Sequence, residues 1–98
     1  EKVYEKALAI ELALLGLQCE RQKSICVYYK SQLVGEYFSD IVVNNLIILE
    51  IKAVAAIAPE HEVQLFNYLK ATDIEIGLIL NFGRKPEFKR KRFDNDIK

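Results

Sequence analysis

The sequence predicts a mixed α/β (α+β) domain of order α-β-β-β-α-β, with an extra C-terminal edge strand. Three observations predict it. Residues 2–16 repeat apolar side chains at helical spacing, and residues 25–51 are rich in β-formers broken twice by turn material. A helix opened by proline and an alternating strand then follow. With 98 residues there is room for one core, so residues 1–98 read as a single domain. A composition 51% hydrophobic and 29% charged is that of a folded chain and excludes a disordered one.

The first helix shows Val3, Ala7, Ile10 and Leu14 as its apolar stripe, widened by Leu8, Leu12 and Leu15. Gly16 is its expected stop. Residues 25–29, 37–43 and 46–51 read as three antiparallel strands, with Ser31–Gln32 and Asn44–Asn45 as turns. The run Leu46-Ile47-Ile48-Leu49 is apolar on both faces, so that strand should be central. Pro59 opens a second helix reaching about Ala71, with Glu60 and Glu62 near its positive end. Residues 75–82 alternate as a fourth strand ended by Gly83. Residues 88–93 suit an edge strand kept charged by its lysines and arginines.

Formal net charge is zero, yet its distribution is uneven. Residues 84–98 hold 7 basic and 3 acidic side chains, and the basic run Lys89-Arg90-Lys91-Arg92 could meet a phosphate backbone or simply keep the chain soluble. Cys19 and Cys26 form no zinc pattern; they could pair in principle, but they read as two free thiols, as expected of a reducing cytoplasm. No apolar run approaches a membrane span, and no signal peptide is visible, so no membrane partner is expected.

Glu50 and Lys52 close the apolar strand. Residues two apart on a strand share a face, so both point one way while Ile51 turns into the core. A charge at the end of a buried strand needs a partner or an ion. A plain Glu–Lys pair at a sheet edge would satisfy that need. Asp40 changes the weighing, because it interrupts the apolar run of the preceding strand. A two-residue loop at Asn44–Asn45 would pair it with Leu49, on the wrong face. A three-residue loop, Val43-Asn44-Asn45, would pair it with Ile48 and make it a diagonal neighbour of Glu50. Two carboxylates with water and substrate oxygens suit Mg²⁺ or Mn²⁺, and a lysine beside them can orient water or stabilise charge on phosphorus. That is a chemistry for phosphodiester hydrolysis.

On the second helix His61, Gln64 and Tyr68 share a face, which could contact a phosphate or pack as a half-buried polar surface. The lone His61 reads as a satisfied or surface histidine. On the first helix Glu1, Tyr4, Glu5, Leu8 and Glu11 lie near one side. A glutamate there could lean over the site, although a solvated face explains the pattern as well. There is no Ser-His-Asp set, phosphate-binding glycine loop or zinc spacing.

Several runs together resemble the small bacterial and archaeal GxxExxY proteins. They are Glu1-x-x-Tyr4-Glu5, Phe38-x-Asp40, Glu50-Ile51-Lys52-Ala53-Val54, His61-Glu62-x-Gln64-Leu65, Tyr68-Leu69-Lys70-Ala71-Thr72 and Asn81-Phe82-Gly83. The resemblance implies a PD-(D/E)XK restriction-endonuclease-like core in the RecB-like neighbourhood. It implies that Asp40 and Glu50 hold Mg²⁺ (or Mn²⁺), that Lys52 assists catalysis, and that Gln64 and Tyr68 support the site. Glu1 matches the glutamate of the name motif and would be the first-helix acid. The glycine of that motif and the helix that usually precedes it are absent, so the domain is expected to lack an N-terminal helix. The function expected is a Mg²⁺-dependent nuclease acting on DNA ahead of RNA. The alternative is a non-catalytic module of the same fold that binds nucleic acid or a protein partner. A subunit completed by a homodimer is a third reading, which an exposed apolar edge strand would favour.

Overall fold

A computed structural model describes residues 1–98. Helix α1 (Lys2–Leu14) precedes β1 (Cys19–Tyr29), β2 (Gln32–Val43) and β3 (Ile47–Lys52). Helix α2 (Pro59–Lys70), β4 (Ile76–Asn81), β5 (Glu87–Arg92) and a short 3-10 helix (Asn95–Ile97) follow. The strands form one sheet of order β1-β2-β3-β4-β5, antiparallel except for the parallel β3–β4 pair. The strand without a polar face is therefore the middle one, as its sequence requires.

Each face of the sheet carries one helix. Val42, Ile48 and Ile79 pack with Leu65, Tyr68 and Leu69 of α2. Ile41, Val43, Leu49 and Ile51 pack with Leu8, Ala9 and Leu12 of α1. Leu65 is fully buried and sits directly over Gly77, where an added Cβ would lie 2.5 Å from its Cδ1. A side chain at 77 would force the Leu65 side chain to move.

The ends of both helices follow from local chemistry. Gly16 at φ 86° lets the Leu17 amide reach the Leu12 carbonyl and its own amide reach Ala13, a Schellman closure of α1. Pro59 opens α2, and His61 Nδ1 accepts the Ala58 amide at 3.0 Å. His61 is thus a capping residue, the satisfied histidine that the sequence suggested.

Three expectations need correction. The α1 stripe is rotated: Val3, Ile10 and Leu14 are exposed, while Glu5, Leu8, Ala9 and Leu12 turn inward. Apolar residues occur all round this helix, so periodicity alone does not choose a side. The second correction is that β1 and β2 are longer than expected, because the polar stretch Cys19–Ser24 pairs with Phe38–Val43 and the stretch from Gln32 to Glu36 pairs back onto Cys26–Tyr29.

The third concerns the β2–β3 loop, which has neither expected register. Asn44 and Asn45 adopt φ 51° and 54°, and the Leu46 amide closes onto the Val43 carbonyl at 2.9 Å, the pattern of a type I′ turn. One extra residue, Leu46, follows, so Val43 pairs with Ile47 and Ile41 with Leu49. Val43 is 6% exposed and Leu46 67%, and burying the valine decides the register. Asp40 consequently lies opposite Glu50 itself.

Gly83 locks the segment after β3. A Cβ there would fall 2.0 Å from the Val54 carbonyl oxygen, which is backbone and cannot step aside. Gly83→Ala is expected to cost about 2 kcal/mol or more, by analogy with overpacked cores. Thermal denaturation followed by circular dichroism should show a fall of about 8–16 °C. A shift below about 3 °C would mean that the residue 53–58 loop adapts freely.

Candidate functional site

Asp40 is skipped by both of its neighbouring ladders. On one side Arg21 pairs with Ile41 and Lys23 with Ser39, but Gln22 between them adopts φ 54° and leaves the ladder. On the other side the β2–β3 pairing stops at Ile41 and Leu49. Carboxylates fill the gap. The Asp40 amide donates to Glu50 Oε2 at 2.9 Å, and the Ile51 amide donates to Asp40 Oδ2 at 2.7 Å. Each acid thus accepts a backbone hydrogen bond from the opposite strand. No buried side-chain oxygen lacks a partner, so the second oxygen of each acid, which accepts nothing from the protein, opens to solvent.

The electrostatics match this crowding. Burial first, then the Asp40 charge, push the Glu50 carboxyl up to about 8, against the pull of the Asp40 amide and Lys52. Burial also raises Asp40, opposed by the Ile51 amide and reinforced by Glu5. The Lys52 ammonium draws both acids down, so all three groups share one field. Neither acid has an ion-pair partner. Two adjacent hard-oxygen donors, each with a free oxygen and neither held in an ion pair, fit a small divalent cation that would replace the proton on Glu50.

Glu5 is the acid that sequence reasoning named only among the first-helix residues. It is 2% exposed and accepts from Arg21 Nε and Gln22 Nε2, both at 2.9 Å. Burial alone would raise its carboxyl, but the Gln22 and Arg21 hydrogen bonds, with the charges of Lys2 and Arg21, hold it below the ordinary value. It stands behind the site as a fixed negative charge. Its signal was a charge on a helix face otherwise carrying Leu8 and Leu12. Glu1 reaches the same end of β3: its Oε2 accepts the Ala53 amide at 3.2 Å, one residue past Lys52. Asn81 completes the support, its amide side chain accepting from Val54 N and donating to Val54 O, both at 2.9 Å.

Tyr68 is buried on α2, where the charges of both acids reach it. Burial first, then Glu50 and Asp40, push its hydroxyl up to about 12, so it keeps its proton and can donate. Gln64, one turn earlier, is exposed on the wall of a groove of about 550 Å³ beside Tyr68. The basic run lies apart, on β5 at the sheet edge. Lys91 pairs with Glu62 at 2.7 Å and Arg92 with Asp94 at 2.6 Å, whereas Lys89 and Arg90 form no ion pair. No cluster of three or more His, Cys, Asp or Glu side chains is gathered. No helix is long and apolar enough to cross a membrane.

Solved structures share this arrangement of elements. The crystal structure of SSO0001 superposes with a TM-score of 0.74 at 15% identity, over 98% of this chain and 51% of that one. An alkaline exonuclease from Laribacter hongkongensis gives 0.66 at 13% identity, over 98% of this chain and 57% of that one. The chain thus spans about half the length of either neighbour. No curated protein matches it by sequence. A family model does match, over residues 1–93, nearly the full length and all five strands. On that match, with the α1-sheet-α2 architecture that carries Asp40, Glu50 and Lys52, the chain belongs to the PD-(D/E)XK nuclease superfamily.

Proposed function

We propose that this chain is a divalent-cation-dependent nuclease that hydrolyses phosphodiester bonds of DNA, with Mg²⁺ (or Mn²⁺) held by Asp40 and Glu50. The resemblance of its motifs to the GxxExxY proteins supports a further reading as one of that group. One observation carries the reading: across a break in the sheet Glu50 accepts the Asp40 amide and Asp40 accepts the Ile51 amide, which leaves each acid with a free oxygen in the field of Lys52. The fold shared with an alkaline exonuclease agrees with it.

When bound, the cation would supply Lewis acidity at the scissile phosphate and at the attacking water. The chain's own groups do the rest. Asp40 and Glu50 must be ionised to act, so the proton that burial keeps on Glu50 has to leave on binding. Lys52 holds positive charge where negative charge grows on the phosphoryl oxygens. Tyr68 donates a hydrogen bond, and Gln64 lines the way in. Lys89 and Arg90 are free to steady the backbone of a longer substrate.

The test is cleavage of single-stranded and plasmid DNA with Mg²⁺ or Mn²⁺, for wild type and Asp40→Asn. Asparagine keeps an oxygen for the Ile51 amide, so the sheet stays closed while the charge is lost. Loss of about 4 kcal/mol of charge stabilisation would lower cleavage roughly 10³-fold. Equal rates in the two proteins would mean contamination and end the proposal.

A further inference from the structure

The groove beside Tyr68 is not accounted for by hydrolysis. It runs between the β1–β2 hairpin and α2 and holds about 550 Å³, within the range of small-molecule sites. Tyr28, Tyr37 and Tyr68 contribute three aromatic rings to its wall, and Gln64 and Asn67 contribute amides. The Tyr37 and Tyr68 rings lie 6.0 Å apart at 43°. Tyr28 is 63% and Tyr37 49% exposed, so two large rings keep much of their surface in water. Tyr68 belongs to both places: it walls the groove, and its hydroxyl feels the charges of Glu50 and Asp40.

We infer that this groove receives an unstacked nucleobase of a single-stranded nucleic acid whose neighbouring phosphate lies at Asp40 and Glu50. The inference deepens the nuclease reading and rests on it. Bases paired in a duplex hide their faces in the stack and cannot use such a pocket. A single strand or a frayed end can, because every base presents a π-face to an aromatic ring. The amides of Gln64 and Asn67 can meet base edges of either hydrogen-bonding polarity, as a pocket tolerant of sequence requires. Tyr68 links the groove to the acids, so base and phosphate can belong to one nucleotide or its neighbour. The preferred substrate is therefore a single-stranded end.

The experiment measures binding without turnover, with Ca²⁺ in place of Mg²⁺. The probe is a short single strand carrying 2-aminopurine, compared with a blunt duplex of the same sequence. Wild type should quench the probe on binding. Tyr28→Ala and Tyr37→Ala should each weaken single-strand affinity by about tenfold, the usual loss for one stacked base. Tyr28→Phe and Tyr37→Phe should restore it to within about twofold, since the ring alone stacks. Duplex affinity should change far less. Wild-type affinity in both alanine variants, an equal loss for duplex and single strand, or no binding by wild type would each overturn the inference. The nuclease reading fails separately, through cleavage that Asp40→Asn leaves untouched.

Discussion

Glu50→Gln is expected to stabilise the metal-free protein at pH 8 by about 4 kcal/mol while removing its affinity for a divalent cation. The native carboxyl is pushed up to about 8 from an ordinary 4.5, chiefly by burial. Between those values the folded chain keeps a proton that the unfolded chain releases. The corresponding stability is complete below 4.5 and is lost as pH rises towards about 8. Glutamine carries no such charge and still offers an oxygen to the Asp40 amide. Urea denaturation in EDTA should therefore show similar stabilities at pH 4.5 and a widening gap by pH 8. Mn²⁺ should close the gap by stabilising wild type alone, with proton release on binding. Parallel pH dependences in the two proteins would show that Glu50 is ionised without cost, and the account of the site would be wrong.

Lys52→Met is expected to lower cleavage by about 10²- to 10³-fold while Mn²⁺ still binds with heat that depends on Glu50. Methionine keeps the apolar stem and removes the charge. The backbone around Lys52 is fixed: its carbonyl accepts the Phe82 amide at 2.8 Å, and Asn81 and Glu1 hold the two residues that follow. The variant therefore tests charge rather than fold. Lys52 lowers both acids, so without it the rising limb of the pH–rate profile should move to higher pH. Single-turnover cleavage and calorimetry with Mn²⁺ separate the two effects. A loss below about threefold would remove Lys52 from the chemistry.

The parts of this fold that were legible in the sequence are those set by neighbours in the chain. The two-sided apolar run of β3, the shared face of Glu50 and Lys52, and the proline-opened α2 follow from spacing alone. The β2–β3 register was not legible, because it depends on whether Val43 or Leu46 gains more from burial. The side of α1 that faces the sheet was hidden by leucines all round the helix. It is settled by Glu5, whose partners Arg21 and Gln22 lie 16 and 17 residues away. The left-handed Gln22 opposite Asp40 left no trace either, since nothing in a polar edge strand marks where its ladder will break.

The amide exchange at the break in the sheet also governs how this domain can decay. An inherited alanine or valine at either acid would strip a backbone N–H of its acceptor in the middle of the molecule. Asparagine at 40 or glutamine at 50 would not. A lineage could therefore trade either acid for its amide and keep this architecture.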